Sequence, residues 1–273
     1  MVRPMPHIRV RDIEIYYEIH GSGPRLFFIG GSGGDLRDKP NVFDGPLTRQ
    51  FEVLSYDQRG LGRTDAPEGP YTMADYAEDA AELLRVLAFD DPALMGVSFG
   101  GMVAQELLCR DGEIVSRVVL ACTSAGGRAG ASYPLHELEE LSPRDRAARM
   151  VEISDTRFGA QWQRDNPAKA KAVIDVAMER AGSRDQAALA GQHLQLEARS
   201  HHDTSERLGG VQIPVYLCAG RYDAIAPSSN QHALEAALSN VTLEFFEGGH
   251  LFLLQDRSAF TKIADFLSGS DSR

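Results

Sequence analysis

The sequence predicts an α/β fold: a mostly parallel, doubly wound sheet with an inserted helical cap. Three observations predict it. Short apolar runs of strand length recur along the chain and alternate with amphipathic helical stretches. Most runs are continuous rather than alternating in hydrophobicity, as strands covered on both faces must be. From Ser124 to about Gly210 the strand rhythm stops and only helical patterns follow. A chain of 273 residues suits one large α/β domain, or a core with an insertion, and buries most of its apolar surface without staples.

Taken in order, Ile8 to Val10 and Ile13 to Ile19 alternate, which suits a hairpin at a sheet edge with Asp12 near its turn. Leu26 to Ile29, Glu52 to Tyr56, Ala93 to Gly96, Arg117 to Ala121, Pro214 to Ala219 and Val241 to Phe246 read as covered strands. Thr72 to Phe89 puts Met73, Tyr76, Ala77, Ala80, Leu83, Leu84 and Leu87 on one helical face, with Thr72 and Asp75 as a capping box. Met102 to Arg110, Ser228 to Leu238 and Ser258 to Leu267 read as further helices. Such alternation implies right-handed crossovers. In the middle, helices start at Ser142-Pro143, Asn166-Pro167 and Ser183. Gly126 to Gly130 reads as a flexible lead-in to this block. The expected division is a core of residues 1–123 and 211–273 with a helical cap at 124–210. The tail from Ser268 to Arg273 is expected to fray.

Charged residues make up 25% and apolar residues 43% of the chain, ordinary for a globular protein. The formal net charge of −11, with no basic stripe, argues against nucleic acid and anionic membrane as partners. Met1 to Val10 has no apolar core of the signal-peptide kind, and no apolar run is long enough to span a membrane. A cytoplasmic location follows. Cys109, Cys122 and Cys218 lie in apolar helix or strand patterns and read as small core residues in a reducing compartment. They have no metal-ligand spacing, and neither a metal nor a cofactor is expected.

The stretch Gly96-Val97-Ser98-Phe99-Gly100-Gly101 carries the chemistry. A strand precedes it and a helix follows. A serine with a glycine two positions away on each side suits a strand that turns sharply into a helix, holding the hydroxyl out in strained geometry. A side chain at position 96 or 100 would collide with the turn. This turn resembles the nucleophile elbow of α/β-hydrolases, a family in which nucleophile, acid and base follow in that order along the chain. Ser98 is the candidate nucleophile.

For the base, His250 in Glu247-Gly248-Gly249-His250 follows a strand directly through glycines. His136, His193, His201 and His202 lie in the helical insertion and read as solvated or cap residues. His201 and His202, being adjacent, point apart and make a poor metal pair. For the acid, the strand Pro214 to Ala219 runs into Gly220-Arg221-Tyr222-Asp223, which selects Asp223. The rival position, Cys122-Thr123-Ser124, offers no carboxylate. For an oxyanion, one backbone N–H is that of Phe99, at a helix N-terminus. The second comes from Gly30-Gly31-Ser32-Gly33-Gly34, where small residues let backbone approach a substrate. Ser32 is the expected donor and Gly31 the neighbouring option. These glycines do not form a phosphate loop, since no Gly-Lys-Ser/Thr follows. In the insertion, Met150, Phe158, Trp162 and Met178 have the spacing of helix core, but some should line an apolar pocket. Gly31 and Trp162 are the pocket candidates.

With Tyr56-Asp57-Gln58-Arg59-Gly60-Leu61-Gly62 added to these motifs, the chain resembles the α/β-hydrolase superfamily across nearly its whole length. The resemblance implies that Asp57 and Arg59 are structural. Pro70-Tyr71-Thr72 with Leu120-Ala121-Cys122-Thr123-Ser124 is similar to 3-oxoadipate enol-lactonases and cofactor-free haloperoxidase/esterase relatives. Gly30 to Gly34 departs from the family's His-Gly-x-Pro-Gly by lacking both His and Pro, so a more flexible loop is expected. The implied function is cleavage of a carboxylic ester or lactone of a small-to-medium molecule through an acyl-Ser98 intermediate, with no cofactor. Perhydrolase or haloperoxidase-like chemistry and C–C bond hydrolysis fit the same residues. A ligand sensor that turns over slowly or not at all is the alternative of another class. Oligomeric state is not written in these residues.

Overall fold

A computed structural model describes residues 6–182 and 186–269. The helix start expected at Ser183 and the tail beyond Gly269 lie outside the described residues. The hairpin forms as expected: β1 (His7–Val10) pairs antiparallel with β2 (Ile13–Gly21), Val10 opposite Ile13. The strands β3 (Arg25–Ile29), β4 (Glu52–Tyr56), β5 (Ala93–Val97), β6 (Arg117–Ala121), β7 (Val215–Gly220) and β8 (Val241–Phe246) follow. They build one eight-stranded sheet in the order β1-β2-β4-β3-β5-β6-β7-β8. β2 joins β4 antiparallel, and every pairing from β4 to β8 is parallel.

Successive strand residues point to opposite faces, and each face has its own core. Phe27, Leu54, Leu94, Leu120 and Leu217 enter one buried cluster. Leu26, Val53, Met95, Val119 and Cys218 enter the other. The first is covered by α1 (Met73–Val86) and α2 (Phe99–Arg110). The sheet is therefore wound on both sides, and the runs are continuously apolar because neither face meets water.

Thr72 caps α1 as expected: its Oγ1 accepts from Asp75 N–H at 3.2 Å, and Asp75 Oδ2 accepts from Thr72 N–H at 3.0 Å. The helix stops at Val86 rather than running on to Phe89. Ala88 takes a left-handed φ of 48°, and Phe89 N–H donates back to Leu84 O at 2.9 Å. That back-bond is the Schellman stop, usually built on glycine, which is why the sequence reading overshot.

Between β6 and β7 lie α3 (Gly127–Gly130), α4 (Pro143–Ser154), α5 (Ala160–Asp165), α6 (Pro167–Gly182) and α7 (Gln186–Ser200), with no strand among the described residues. Ser142 caps α4, with Pro143 opening the helix, and Pro167 opens α6. Gly126 to Gly130, the lead-in to this block, forms the turn α3, closed by Gly126 N–H donating to Gly130 O at 3.2 Å. Thr204 N–H donates to Ala125 O at 2.8 Å and ties the two ends of this block together. After β7 come α8 (Ser228–Ala237), α9 (Phe252–Gln255) and α10 (Ala259–Leu267), the last closing the second core. No helix among the described residues is long and apolar enough to cross a membrane.

Candidate active site

β5 ends at Val97 and α2 begins at Phe99, leaving Ser98 alone in the turn with φ 54° and ψ −115°. Such a backbone costs on the order of 1–3 kcal/mol for a non-glycine residue and persists only where its surroundings enforce it. They do so here. A Cβ on Gly96 would run into the carbonyl of Gly100, and one on Gly100 into the carbonyl of Ile29. β6 holds the turn from the side: Ser98 N–H donates to Ala121 O, and Thr123 Oγ1 donates to Ser98 O, both at 2.8 Å.

Ser98, Asp223 and His250 come together at the carboxyl ends of β5, β7 and β8. Ser98 Oγ lies 3.0 Å from His250 Nε2, and His250 Nδ1 lies 2.7 Å from Asp223 Oδ2. The Asp223 carboxylate is fully buried, and its other oxygen accepts the N–H groups of Ile225 (2.7 Å) and Ala226 (3.0 Å). By this geometry the imidazole proton sits on Nδ1, which donates to Asp223, and Nε2 accepts from the serine hydroxyl. The arrangement can remove the Ser98 proton and hold the resulting imidazolium against a carboxylate.

The glycine loop runs beside Ser98. A Cβ on Gly31 would stand 3.6 Å from Ser98 Cβ, so this position leaves space next to the hydroxyl. The loop lacks His and Pro but is pinned by other means. Gln58 Nε2 donates to Gly30 O at 2.9 Å, Asp57 Oδ1 accepts from Leu36 N–H at 2.7 Å, and Gly33 N–H donates to Gln195 Oε1 at 2.7 Å. Ser32 Oγ, Gln58 Oε1 and Gln195 Nε2 are buried without partners. Phe99, as the first residue of α2, has an N–H with no acceptor inside its helix.

The insertion also grips the loops that carry Asp223 and His250. His250 N–H donates to Ser154 O (2.6 Å), Thr156 N–H to Tyr222 O (2.9 Å) and Ala224 N–H to Ile153 O (3.0 Å). Between them, buried Asp155 accepts from Arg157 Nε (2.9 Å) and Nη2 (2.7 Å) and from Gln255 Nε2 (3.2 Å). Gln255 Oε1 in turn accepts from Gly249 N–H at 2.8 Å. Burial pushes the Asp155 carboxyl up, but Arg157 outweighs it and holds the group below the ordinary range. Sequence reasoning missed Gln195 and Asp155, which belong to no motif.

The remaining expected residues fall as follows. Trp162 lies half-buried in α5, its ring edge-on to Phe158 at 4.9 Å, within the helical block. His201 is exposed, whereas His202, read as solvated or a cap residue, is buried; burial pulls its pKa down to about 4. Asp57 bonds the backbone of Leu36 and Arg63, and buried Arg59 pairs with Asp79 and Asp12. Among the described residues, no three or more His, Cys, Asp or Glu side chains gather as metal ligands would.

A serine raised on a strained strand-to-helix turn, ahead of an aspartate and a histidine on later loops of a parallel sheet, defines a hydrolase of the α/β class. A family model described as alpha/beta hydrolase fold matches residues 24–256, and the chain belongs to that family. It is 28% identical over 240 residues to a poly(3-hydroxyalkanoate) depolymerase of Ectopseudomonas oleovorans, covering 87% of this chain and 82% of that protein. It is 26% identical over 264 residues to a putative carbamate hydrolase, RutD, of Variovorax paradoxus (strain S110), covering 93% and 96%. In three dimensions it is similar to the enol-lactonase of Burkholderia xenovorans LB400, with a TM-score of 0.76 at 24% identity over 96% of this chain and all of that one.

Proposed function

We propose that this hydrolase cleaves a carboxylic ester or lactone of a small-to-medium molecule through an acyl-Ser98 intermediate. The observation that carries the reading is the relay of Ser98 Oγ, His250 and Asp223 at 3.0 and 2.7 Å on the strained elbow. His250 Nε2 takes the hydroxyl proton as Ser98 Oγ attacks the carbonyl carbon. The N–H groups of Phe99 and Ser32, or Gly31 beside it, receive the oxyanion. His250 returns the proton to the leaving alcohol, then activates water to release the acid. Asp223 keeps the imidazole in the working tautomer and steadies its charged form. Residues 124–210 form a cap on a core of 1–123 and 211–273, with Gly31 and Trp162 bordering the substrate. The partner is a small molecule rather than nucleic acid or membrane. The depolymerase and putative carbamate hydrolase among the relatives support carbonyl cleavage as the reaction class.

The test combines p-nitrophenyl acetate turnover with a serine-directed sulfonyl fluoride. Mass spectrometry should find the sulfonyl group on Ser98, and Ser98→Ala should lose on the order of a million-fold in rate with its circular dichroism unchanged. Activity within tenfold of the parent, or activity lost to EDTA and restored by zinc, would defeat the proposal.

A further inference from the structure

Residues 153–157, where α4 ends, cross both loops that carry His250 and Asp223. Backbone bonds hold the crossing, from His250 N–H to Ser154 O, Thr156 N–H to Tyr222 O and Ala224 N–H to Ile153 O. It is a close one. A Cβ on Gly249 would stand 2.0 Å from Ser154 O and 2.7 Å from Asp155 Cβ, so only glycine fits before His250. Arg157 closes it from outside, with its guanidinium over the Tyr222 ring at 4.2 Å and 3.8 Å from the Glu247 carboxylate.

In the middle stands Asp155, the one buried carboxylate of the insertion among the described residues. Its two oxygens have different partners. Oδ1 serves its own turn, accepting from Arg157 N–H at 3.1 Å and Nε at 2.9 Å. A side chain that only caps a turn needs no more. Oδ2 reaches outward, to Arg157 Nη2 at 2.7 Å and to Gln255 Nε2 at 3.2 Å. Gln255 Oε1 then accepts from Gly249 N–H at 2.8 Å. Only this orientation of the amide satisfies both of its ends. Turned over, it would set oxygen against the carboxylate and N–H against N–H. The charge on Asp155 therefore decides which way Gln255 faces. The loop needs the support, because two successive glycines, Gly248 at φ 138° and Gly249, give the chain ahead of His250 little stiffness of its own.

We propose that Asp155 is a positioning residue for the base: by orienting the Gln255 amide it fixes Gly249, and so keeps His250 in line with both Ser98 and Asp223. This rests on the reading of His250 as the base. Asp155 touches no reacting atom, so its effect should fall on the rate of the chemical step rather than on substrate binding.

The test reverses the polarity of the pair. Asp155→Asn keeps an oxygen for the turn but puts an N–H donor opposite Gln255 Nε2, so the glutamine turns over and Gly249 loses its acceptor. On p-nitrophenyl acetate kcat should fall about 30- to 100-fold with KM within about threefold, the scale of a slightly misplaced catalytic group. The far-downfield proton NMR signal of His250 Nδ1–H, assigned by its loss in His250→Ala, should broaden or vanish. Adding Gln255→Glu to Asp155→Asn lets the new amide donate to the new carboxylate, which accepts from Gly249 N–H. That double variant should regain the signal and most of the rate, whereas Gln255→Glu alone sets two carboxylates face to face and should not. If Asp155→Asn does not fold, Gln255→Leu, which removes the Gly249 acceptor and leaves Arg157 on Asp155, carries the same test of kcat and signal. A lower melting temperature with kcat and signal intact would overturn the proposal, and so would a double variant no better than Asp155→Asn. The signal following this pattern in a protein that cleaves no ester would leave the positioning role standing and remove the esterase alone.

Discussion

The sheet and the helices inserted between β6 and β7 reach the site by different means. The sheet delivers Ser98, Asp223 and His250 through backbone: each follows the carboxyl end of a parallel strand, and glycines at 96 and 100 leave no room for another geometry. The insertion supplies none of these three side chains. It touches the loops that carry them, through the backbone of Ile153, Ser154 and Thr156, and through the side chain of Gln195. A group set by sheet register is either present or absent. A group that braces a loop can be weakened by degrees. Changes in the sheet-borne set should therefore be catastrophic for rate, and changes in the insertion should be graded.

The largest effects fall on the sheet side. His250→Ala should cost nearly as much as the loss of Ser98, on the order of a million-fold in kcat, because nucleophile and base act as a unit. Asp223→Asn should cost about 10⁴-fold by favouring the wrong imidazole tautomer. Both are read from initial rates on p-nitrophenyl acetate. An Asp223→Asn enzyme that kept most of its rate would place the orienting acid elsewhere and break the contrast at its strongest point.

Next comes the joint between the two regions. His202 lies where the insertion returns to the sheet, with Gly126 packed on its carbonyl. Above pH 6.5 the imidazole is neutral whether the chain is folded or not. Below that, the unfolded chain takes up a proton, while the buried ring resists until about pH 4. Stability should therefore fall as pH drops from 6.5 towards 4, by about 3 kcal/mol from this one group. Urea unfolding at pH 7, 5.5 and 4.5 measures the slope. His202→Leu should flatten it, and an unchanged slope would mean that the protons go to other groups.

The two regions also differ in how legible they are in sequence. The central strands could be read because each is a short run covered on both faces, the edge hairpin because its residues alternate, and the elbow because glycine, serine and glycine stand within a few residues of one another. Gln195 could not. Along α7 it looks like part of the polar face of a surface helix. Its burial appears only when the chain brings Gln195 to Gly33, 162 positions away. Asp155 has the same difficulty, since its partner Gln255 lies 100 positions on. The end of α1 was missed for a local reason: Ala88 occupies a left-handed position that pattern reading reserves for glycine.

Gln195 offers the sharper test of graded control. Its Oε1 accepts the Gly33 N–H, so it braces the loop proposed to hold the oxyanion without touching the proposed reacting atoms. Direct loss of an oxyanion donor costs about 10²–10³-fold. Loss of a residue that only positions the loop should cost less, and Gln195→Leu should lower kcat by about 10- to 30-fold. KM should move less than kcat, because a loosened oxyanion site harms the transition state more than the ground state. Equal changes in both, or a loss of thermal stability with kcat intact, would mean that Gln195 serves packing alone.

The smallest effect is expected at Trp162. Its indole is half-buried in α5 and packs edge-on against Phe158 at 4.9 Å. As a pocket wall it would set acyl length. Trp162→Ala should then move the optimum along a series of p-nitrophenyl esters from acetate to octanoate. Turnover of acetate should stay within about tenfold, since side-chain contacts of this kind are worth ~1–3 kcal/mol between substrates. As helix core it would leave the length profile in place and cost about 3–5 kcal/mol of stability instead. A thermal melt beside the length series separates the two. Loss of all activity in a folded Trp162→Ala protein would be the most damaging result, because it would make a residue of the insertion as indispensable as those on the sheet.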